Sequence, residues 1–280
     1  MTFEKLGINE EIIETLHLMG FEFPTEVQQK AIPVILSGKD IVCRSETGSG
    51  KTFAFGLPLV QKIDSNTRHV NALVICPTRE LAMQVAEELK KIATKQGIKV
   101  CAVFGGSTIQ RQIDSLKKNP HIVVGTTGRI MDLINKKALK IESADYIVLD
   151  EADEMLDMGF RPDIEKILLH TKNSRQTMLF SATISDEIKE LATTYQTDAA
   201  TIEVGTANKA LGKISQSYIF ANKKYKKEVL KELFFSDVYG KTSDRHHHER
   251  NRDGGHSRGA GTADALRFAA GWVSVHVEKK

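Results

Sequence analysis

The sequence predicts a doubly wound α/β domain, a parallel sheet with helices on both faces, followed by the opening of a second, incomplete domain. Three observations carry this reading. From residue 40 onward, short runs rich in valine and isoleucine alternate with longer stretches at helical spacing. The runs are apolar without alternation, as strands covered on both faces must be. They end in small, polar or acidic residues, at the edge where open α/β sheets place their ligands.

In chain order, the candidate strands are residues 40–43, 72–76, 100–104, 122–125, 146–149, 177–180 and 201–204. Helical stretches between them include 51–63, 79–95 and 185–195. In the second of these Leu81, Val85, Leu89 and Ile92 recur on one face. The first domain is expected to occupy 1–205. Residues 206–240 read as a linker and the opening strand (214–221) and helix (223–235) of an incomplete second domain. Val229, Leu230 and Leu233 stripe that helix. Residues 241–280 are rich in arginine, glycine and histidine, with no sustained period before 265–277. They are expected to lack order.

Composition narrows the class. Apolar residues make up 41% of the 280 and charged residues 27%, enough for a core and a solvated surface. No apolar run is long enough to span a bilayer, and the first residues lack a signal-peptide pattern. Cys43, Cys76 and Cys101 lie far apart within apolar runs. They read as buried thiols of a cytoplasmic protein, not as a disulfide framework. The net charge is +3. Residues 241–280 hold eight of the 39 basic and five of the 36 acidic residues, which leaves 31 against 31 in the body. A neutral body has no global field for polyanions, so basic groups that meet one must be placed locally.

Two motifs carry chemistry. Ser45-Glu46-Thr47-Gly48-Ser49-Gly50-Lys51-Thr52 lies between a predicted strand and a predicted helix. Its glycines let the backbone turn its N–H groups inward around a phosphate, at the positive end of the following helix. Lys51 can reach the β- and γ-phosphates, and the Thr52 hydroxyl can ligate Mg²⁺. The bland alternative is an ordinary glycine-rich turn. Asp150-Glu151-Ala152-Asp153 follows the strand at 146–149 and leaves the same edge of the sheet. Asp150 can hold Mg²⁺ and Glu151 can deprotonate an attacking water. Alone, these carboxylates could be an acidic helix cap.

Through these motifs the chain resembles the DEAD-box ATP-dependent RNA helicases over about residues 1–221. Further segments fit that pattern: Phe3, Gly20-Phe21, Pro24-Thr25 and Gln28; then Pro77-Thr78-Arg79-Glu80-Leu81-Ala82. Gly105-Gly106, Thr126-Thr127-Gly128-Arg129 and Ser181-Ala182-Thr183 follow in order. The resemblance implies a RecA-like fold that binds ATP and Mg²⁺ and remodels RNA. It implies that Phe3, Thr25 and Gln28 join the 45–52 loop around ATP, Gln28 pairing with the adenine edge, although for Phe3 a simple core anchor is an equal reading. Lys51, Asp150 and Glu151 would be catalytic, with Thr52 and Asp150 on the metal. Pro77, Thr78, Arg79, Gly105, Gly106, Thr126, Gly128 and Arg129 would meet the RNA backbone, without reading sequence. Asp153, Ser181 and Thr183 would couple the nucleotide to domain closure.

Three features depart from the pattern. Ser45 and Glu46 stand where the family usually has alanine and glutamine, and Thr127 stands where it usually has proline. The third is the incomplete second domain, which should supply arginines at the γ-phosphate. Slow hydrolysis and no unaided unwinding are therefore expected of this chain. Other readings are a noncatalytic ATP- or RNA-binding module acting through a protein partner, and a truncated gene product. A monomer is the favoured state.

Overall fold

The computed structural model describes residues 1–205, 214–220, 225, 228–229, 266–269 and 272–278. The chain divides into two units, Met1–Val204 and Gly205–Lys280.

The first unit opens with a 3-10 turn (Glu4–Leu6) and helices α1 (Glu10–Leu18) and α2 (Glu26–Leu36). Both helices start where sequence chemistry says they should. Asn9 accepts from Ile12 N at α1, and Thr25 and Gln28 form a reciprocal capping box at α2. Strands and helices then alternate: β1 (Ile41–Arg44), α3 (Lys51–Lys62), β2 (Ala72–Cys76), α4 (Arg79–Ala93), β3 (Val100–Val103), α5 (Ile109–Leu116), β4 (Ile122–Thr126) and α6 (Thr127–Asn135). They continue with β5 (Tyr146–Asp150), α7 (Ala152–Asp157), α8 (Arg161–Leu169), β6 (Gln176–Ser181), α9 (Asp186–Tyr195) and β7 (Ala200–Glu203). The seven strands match the expected runs to within one or two residues, the usual uncertainty of an element's end.

All seven strands pair in parallel, in the order β3-β4-β2-β5-β6-β1-β7. The strand period of two sorts side chains into two cores. Ile41, Cys43, Val74, Val148, Met178 and Phe180 face one, beneath α2, α3 and α4. Val42, Leu73, Ile75, Ile147, Leu149 and Leu179 face the other, beneath α6, α7, α8 and α9. A fully buried side chain of this kind contributes about 1.5–3 kcal/mol, so a one-residue slip of any central strand would exchange its two cores. Helix α3 approaches α4 so closely that a Cβ on Gly56 would lie 2.6 Å from Leu89 Cδ2.

In the second unit, β8 (Ile214–Phe220), β9 (Leu266–Ala269) and β10 (Trp272–Glu278) form an antiparallel sheet in the order β8-β10-β9. Of the stretch expected to lack order, 241–280, the described residues are these two strands, β9 and β10. The alternation of Val273, Val275 and Val277 after Trp272 is strand chemistry that a tally of glycine and histidine hides. Residues 241–265, 270–271 and 279–280, and most of the expected helix at 223–235, lie outside the described residues.

Candidate functional site

The site lies along the edge where the parallel strands end. Beyond β1 the chain turns through Ser45–Gly50, with Gly48 at φ 80° and Gly50 at φ 94°. Only glycine adopts these values without strain. Gly50 is the cap of α3, so the loop's amides gather at a helix N-terminus. Here the loop satisfies itself. Lys51, 6% exposed, donates from Nζ to Ser45 O at 3.2 Å. Ser49 Oγ donates to Ser45 Oγ at 3.1 Å, and Ser49 N donates to Glu46 O at 3.3 Å. Ser45 N donates to Ser181 O at 2.9 Å, which ties the loop to the end of β6.

Strand β5 delivers Asp150 beside this loop. Asp150 is 3% exposed, and its Oδ1 has no hydrogen-bond partner. Burial pushes its pKa up to about 7, with Lys51 pulling it down and Glu151 adding to the rise. Glu151 sits at φ 56°, ψ 53°, a left-handed conformation uncommon for glutamate. Such backbone costs about 1–3 kcal/mol and concentrates at working sites. Here it turns the half-buried carboxylate back toward the loop, where Thr47 Oγ1 donates to it at 3.4 Å. Its pKa is also raised, by burial and then by Glu154, against Lys51. Asp153 accepts from Ala182 N (3.2 Å), Thr183 N (2.9 Å) and Thr183 Oγ1 (3.0 Å). The acidic motif is thereby bound to the loop after β6. Ser181 Oγ, fully buried, has no partner.

A cavity of about 740 Å³ opens beside these groups and extends to Thr25 and Gln28. Gln28 Nε2 donates to Gly50 O at 3.1 Å, and its Oε1 accepts from Thr25 N at 3.0 Å. One N–H and one acceptor position of the amide remain for a base edge. Phe3 is not part of this cavity. Its ring is 2% exposed and packs in the core beneath α2 and α3, so the aromatic expected beside the base serves as an anchor. Phe21, packed edge-on against Phe53 at 4.8 Å, and the exposed Phe23 line the cavity instead.

The residues present fit a magnesium nucleotide. The cavity volume lies within the range for ligand sites, about 300–1,000 Å³. The buried, unpartnered Asp150 oxygen is the acceptor that a cation would satisfy. Among the described residues no group of three or more His, Cys, Asp or Glu could hold a metal alone. That suits Mg²⁺, which one or two carboxylates hold together with phosphates and water.

Beside this pocket, β2, β3 and β4 end in the other group of expected residues. Thr78 caps α4 by accepting from Leu81 N at 3.2 Å. Arg79 lies 5.2 Å from the centre of the Phe104 ring, a cation–π contact rather than an ion pair with Glu80. Gly106 has φ 76°, and a Cβ there would lie 3.1 Å from Arg79 Nη1. Gly105, Gly106 and Gly128 are exposed and Thr126 is half-buried. Arg129 donates from both Nη atoms to Ser107 O at 3.2 Å, and from Nη1 to Gln112 Oε1 at 2.9 Å. Pro77 is buried. It shapes the turn but exposes no contact surface.

Sequence reasoning missed Phe104, Ser107 and Gln112, which orient the two arginines. Gln112 also donates to Phe104 O at 2.9 Å and Ser107 Oγ at 2.6 Å, so it braces the whole loop. Its signal was faint: a polar residue on the buried face of α5.

Comparison with known proteins agrees with this layout. Residues 25–191 match the DEAD/DEAH box helicase family. The chain is 46% identical over 249 residues to the ATP-dependent RNA helicase CshA of Listeria monocytogenes, covering 87% of this chain and 48% of that protein. It is 44% identical over 250 residues to the DEAD-box ATP-dependent RNA helicase CshA of Geobacillus kaustophilus, covering 87% and 54%. The chain thus spans about half the length of these curated relatives. Among solved structures it resembles a DEAD box protein from Methanococcus jannaschii, with a TM-score of 0.70 and 40% identity over 85% of this chain and 64% of that one. A hypothetical ATP-dependent RNA helicase from Sulfolobus tokodaii gives 0.65 and 41%, covering 70% and 57%. The fold is therefore RecA-like, and the chain belongs to the DEAD/DEAH box helicase family.

Proposed function

We propose that this chain is the nucleotide-binding half of an ATP-dependent RNA helicase, hydrolysing the β–γ phosphoanhydride in step with RNA binding. The observation that carries the reading is the adjacency of two sets of residues on one sheet edge. Lys51 opens the helix that follows β1, Asp150 and Glu151 lie at the end of β5, and Arg79 and Arg129 lie in the first turns of the helices that follow β2 and β4. The chain's own residues divide the work. Gln28 and Thr25 hold the adenine edge, and the amides of Thr47–Gly50 with Lys51 hold the phosphates. Lys51 must leave Ser45 O to do so. Thr52 and Asp150 would hold Mg²⁺, which when bound neutralises phosphate charge. Its proximity would return the Asp150 carboxyl to the ionised form. Glu151 takes the proton of the attacking water, a role helped by its raised pKa. Asp153, through Thr183 and the segment after Ser181, carries the change in nucleotide state along β6.

RNA is the partner of the arginine side, held by its backbone as a single strand. Residues 1–205 form the domain that carries both sites, and 206–240 belong to a second domain. A cytoplasmic monomer fits three free, buried cysteines. No helix among the described residues is long and apolar enough to cross a membrane.

The test is RNA-stimulated ATP hydrolysis by the chain, its Lys51→Ala variant and its Glu151→Gln variant. Wild type should exceed both, with Glu151→Gln still binding nucleotide. Equal, background rates in all three with nucleotide still bound would favour a noncatalytic binding module.

A further inference from the structure

A second groove, of about 500 Å³, runs along the outer edge of β3. Its floor is apolar: Met83 and Ala86 of α4 with Val100 and Ala102 of β3. Its rim is basic. Lys90, Lys99 and Lys118 surround it with Glu87 as the one acid, and none of the three lysines has an ion-pair partner among the described residues. The backbone of the strand is also open. Among the described residues β3 pairs with β4 alone. Lys99 O accepts from Ile122 N, so Lys99 turns its peptide groups toward β4. By strand alternation Val100 and Ala102 turn theirs to the free side, where Ala102 O accepts from the weak donor Cys101 Sγ at 3.8 Å, a contact an incoming N–H would replace.

We propose that this edge docks an extended acidic segment of a partner protein, which adds to β3 as a further strand. Its backbone would exchange hydrogen bonds with Val100 and Ala102, and its carboxylates would meet Lys90, Lys99 and Lys118. Two features favour a peptide over a continuation of the RNA track. A phosphodiester chain has no N–H to give the outward carbonyls, and the aliphatic floor offers nothing to a phosphate. The lysines also repel a second copy of the same basic edge, a common guard against self-pairing. The selectivity is therefore for an acidic strand. Four residues of β3 span about 13 Å, which sets the docked segment at about four to six residues.

The probes are fluorescein-labelled peptides of about eight residues, alternating valine with glutamate or valine with lysine, followed by anisotropy on the full chain. The acidic peptide should bind and the basic one should not. The Lys90→Glu, Lys99→Glu, Lys118→Glu triple variant should weaken the acidic peptide at least about tenfold and admit the basic one, a swap that electrostatic complementarity requires. Ala102→Pro, which removes one outward N–H and leaves the lysines, should weaken the acidic peptide alone. Melting curves check that each variant folds. Failure of the acidic peptide to bind wild type, or equal binding to the triple variant, overturns the proposal. So does displacement of the peptide by single-stranded RNA, which would assign the groove to nucleic acid, or a wild-type dimer lost in Ala102→Pro.

Discussion

The hydroxyls of Ser45 and Ser49 bond to each other at 3.1 Å across the phosphate loop. The sequence resemblance leads one to expect alanine at Ser45, so this latch belongs to the expected departure from the pattern. It holds the loop in the form in which Ser49 N–H is spent on Glu46 O and Lys51 on Ser45 O. Nucleotide must displace both. A neutral hydrogen bond is worth about 0.5–1.5 kcal/mol net, so Ser45→Ala should tighten nucleotide binding by about two- to tenfold. Ser49→Ala should do the same and the double variant no more, measured by titration with a fluorescent ATP analogue. Additive effects would show that the two hydroxyls act separately.

Asp150 makes the metal-free protein sensitive to pH. Its folded pKa is raised to about 7 by burial, whereas an unfolded aspartate titrates near about 3.9. The folded chain therefore holds an extra proton between those values. The resulting stability is complete below about pH 4 and is lost as pH rises through about 7. In buffer with chelator, the melting temperature should fall between about pH 5 and about pH 8. Asp150→Asn should flatten that part of the profile while abolishing metal-dependent hydrolysis. An unchanged profile in the variant would assign the pH response to other groups.

Thr127 opens α6, and Thr126 before it sits at φ −91°, ψ 146°. That extended conformation is the one a residue before proline needs, and proline's missing N–H costs nothing at the first helical position. Thr127→Pro should stabilise the chain by about 0.4–1 kcal/mol, read from urea denaturation. By stiffening the turn that carries Arg129 it should also hold or improve RNA affinity. A loss of stability would mean that the buried threonine packs better than the ring.

Gly50 and Gln28 are coupled by contact. A Cβ on Gly50 would lie 2.6 Å from Gln28 Nε2, on backbone at φ +94°. Gly50→Ala should cost more than about 1 kcal/mol and push the Gln28 amide off its hydrogen bond to Gly50 O. Gln28→Ala should cost about 1 kcal/mol through the α2 cap and erase the preference for ATP over GTP in competition binding. If the preference survives Gln28→Ala, the base is read elsewhere in the cavity.

The strands were legible because a parallel sheet buried on both faces forces unbroken apolar runs, such as Ala72–Cys76, between polar turns. The phosphate loop and the acidic motif were legible because each packs its groups into a few consecutive residues. What escaped was long-range. Arg129 and Gln112 are 17 residues apart, on α6 and α5, and only the tertiary fold brings them together. For Phe3 the sequence leaves a contact with the base and a core anchor equally open, and its burial favours the anchor. The strands at 266–278 escaped because composition averaged over forty residues conceals a local alternation.

The order of the sheet has a genetic consequence. Strand β2, which ends in the turn to Thr78 and Arg79, pairs directly with β5, which ends in Asp150, with Ile75 beside Leu149. Strand ends about 4.8 Å apart share backbone as well as side-chain support. Under the proposed function, an allele altering the end of β2 or β5 should therefore disturb nucleotide and RNA binding together. Alleles that separate the two should map away from this central pair, to β3 and β4 on one side and β1 on the other.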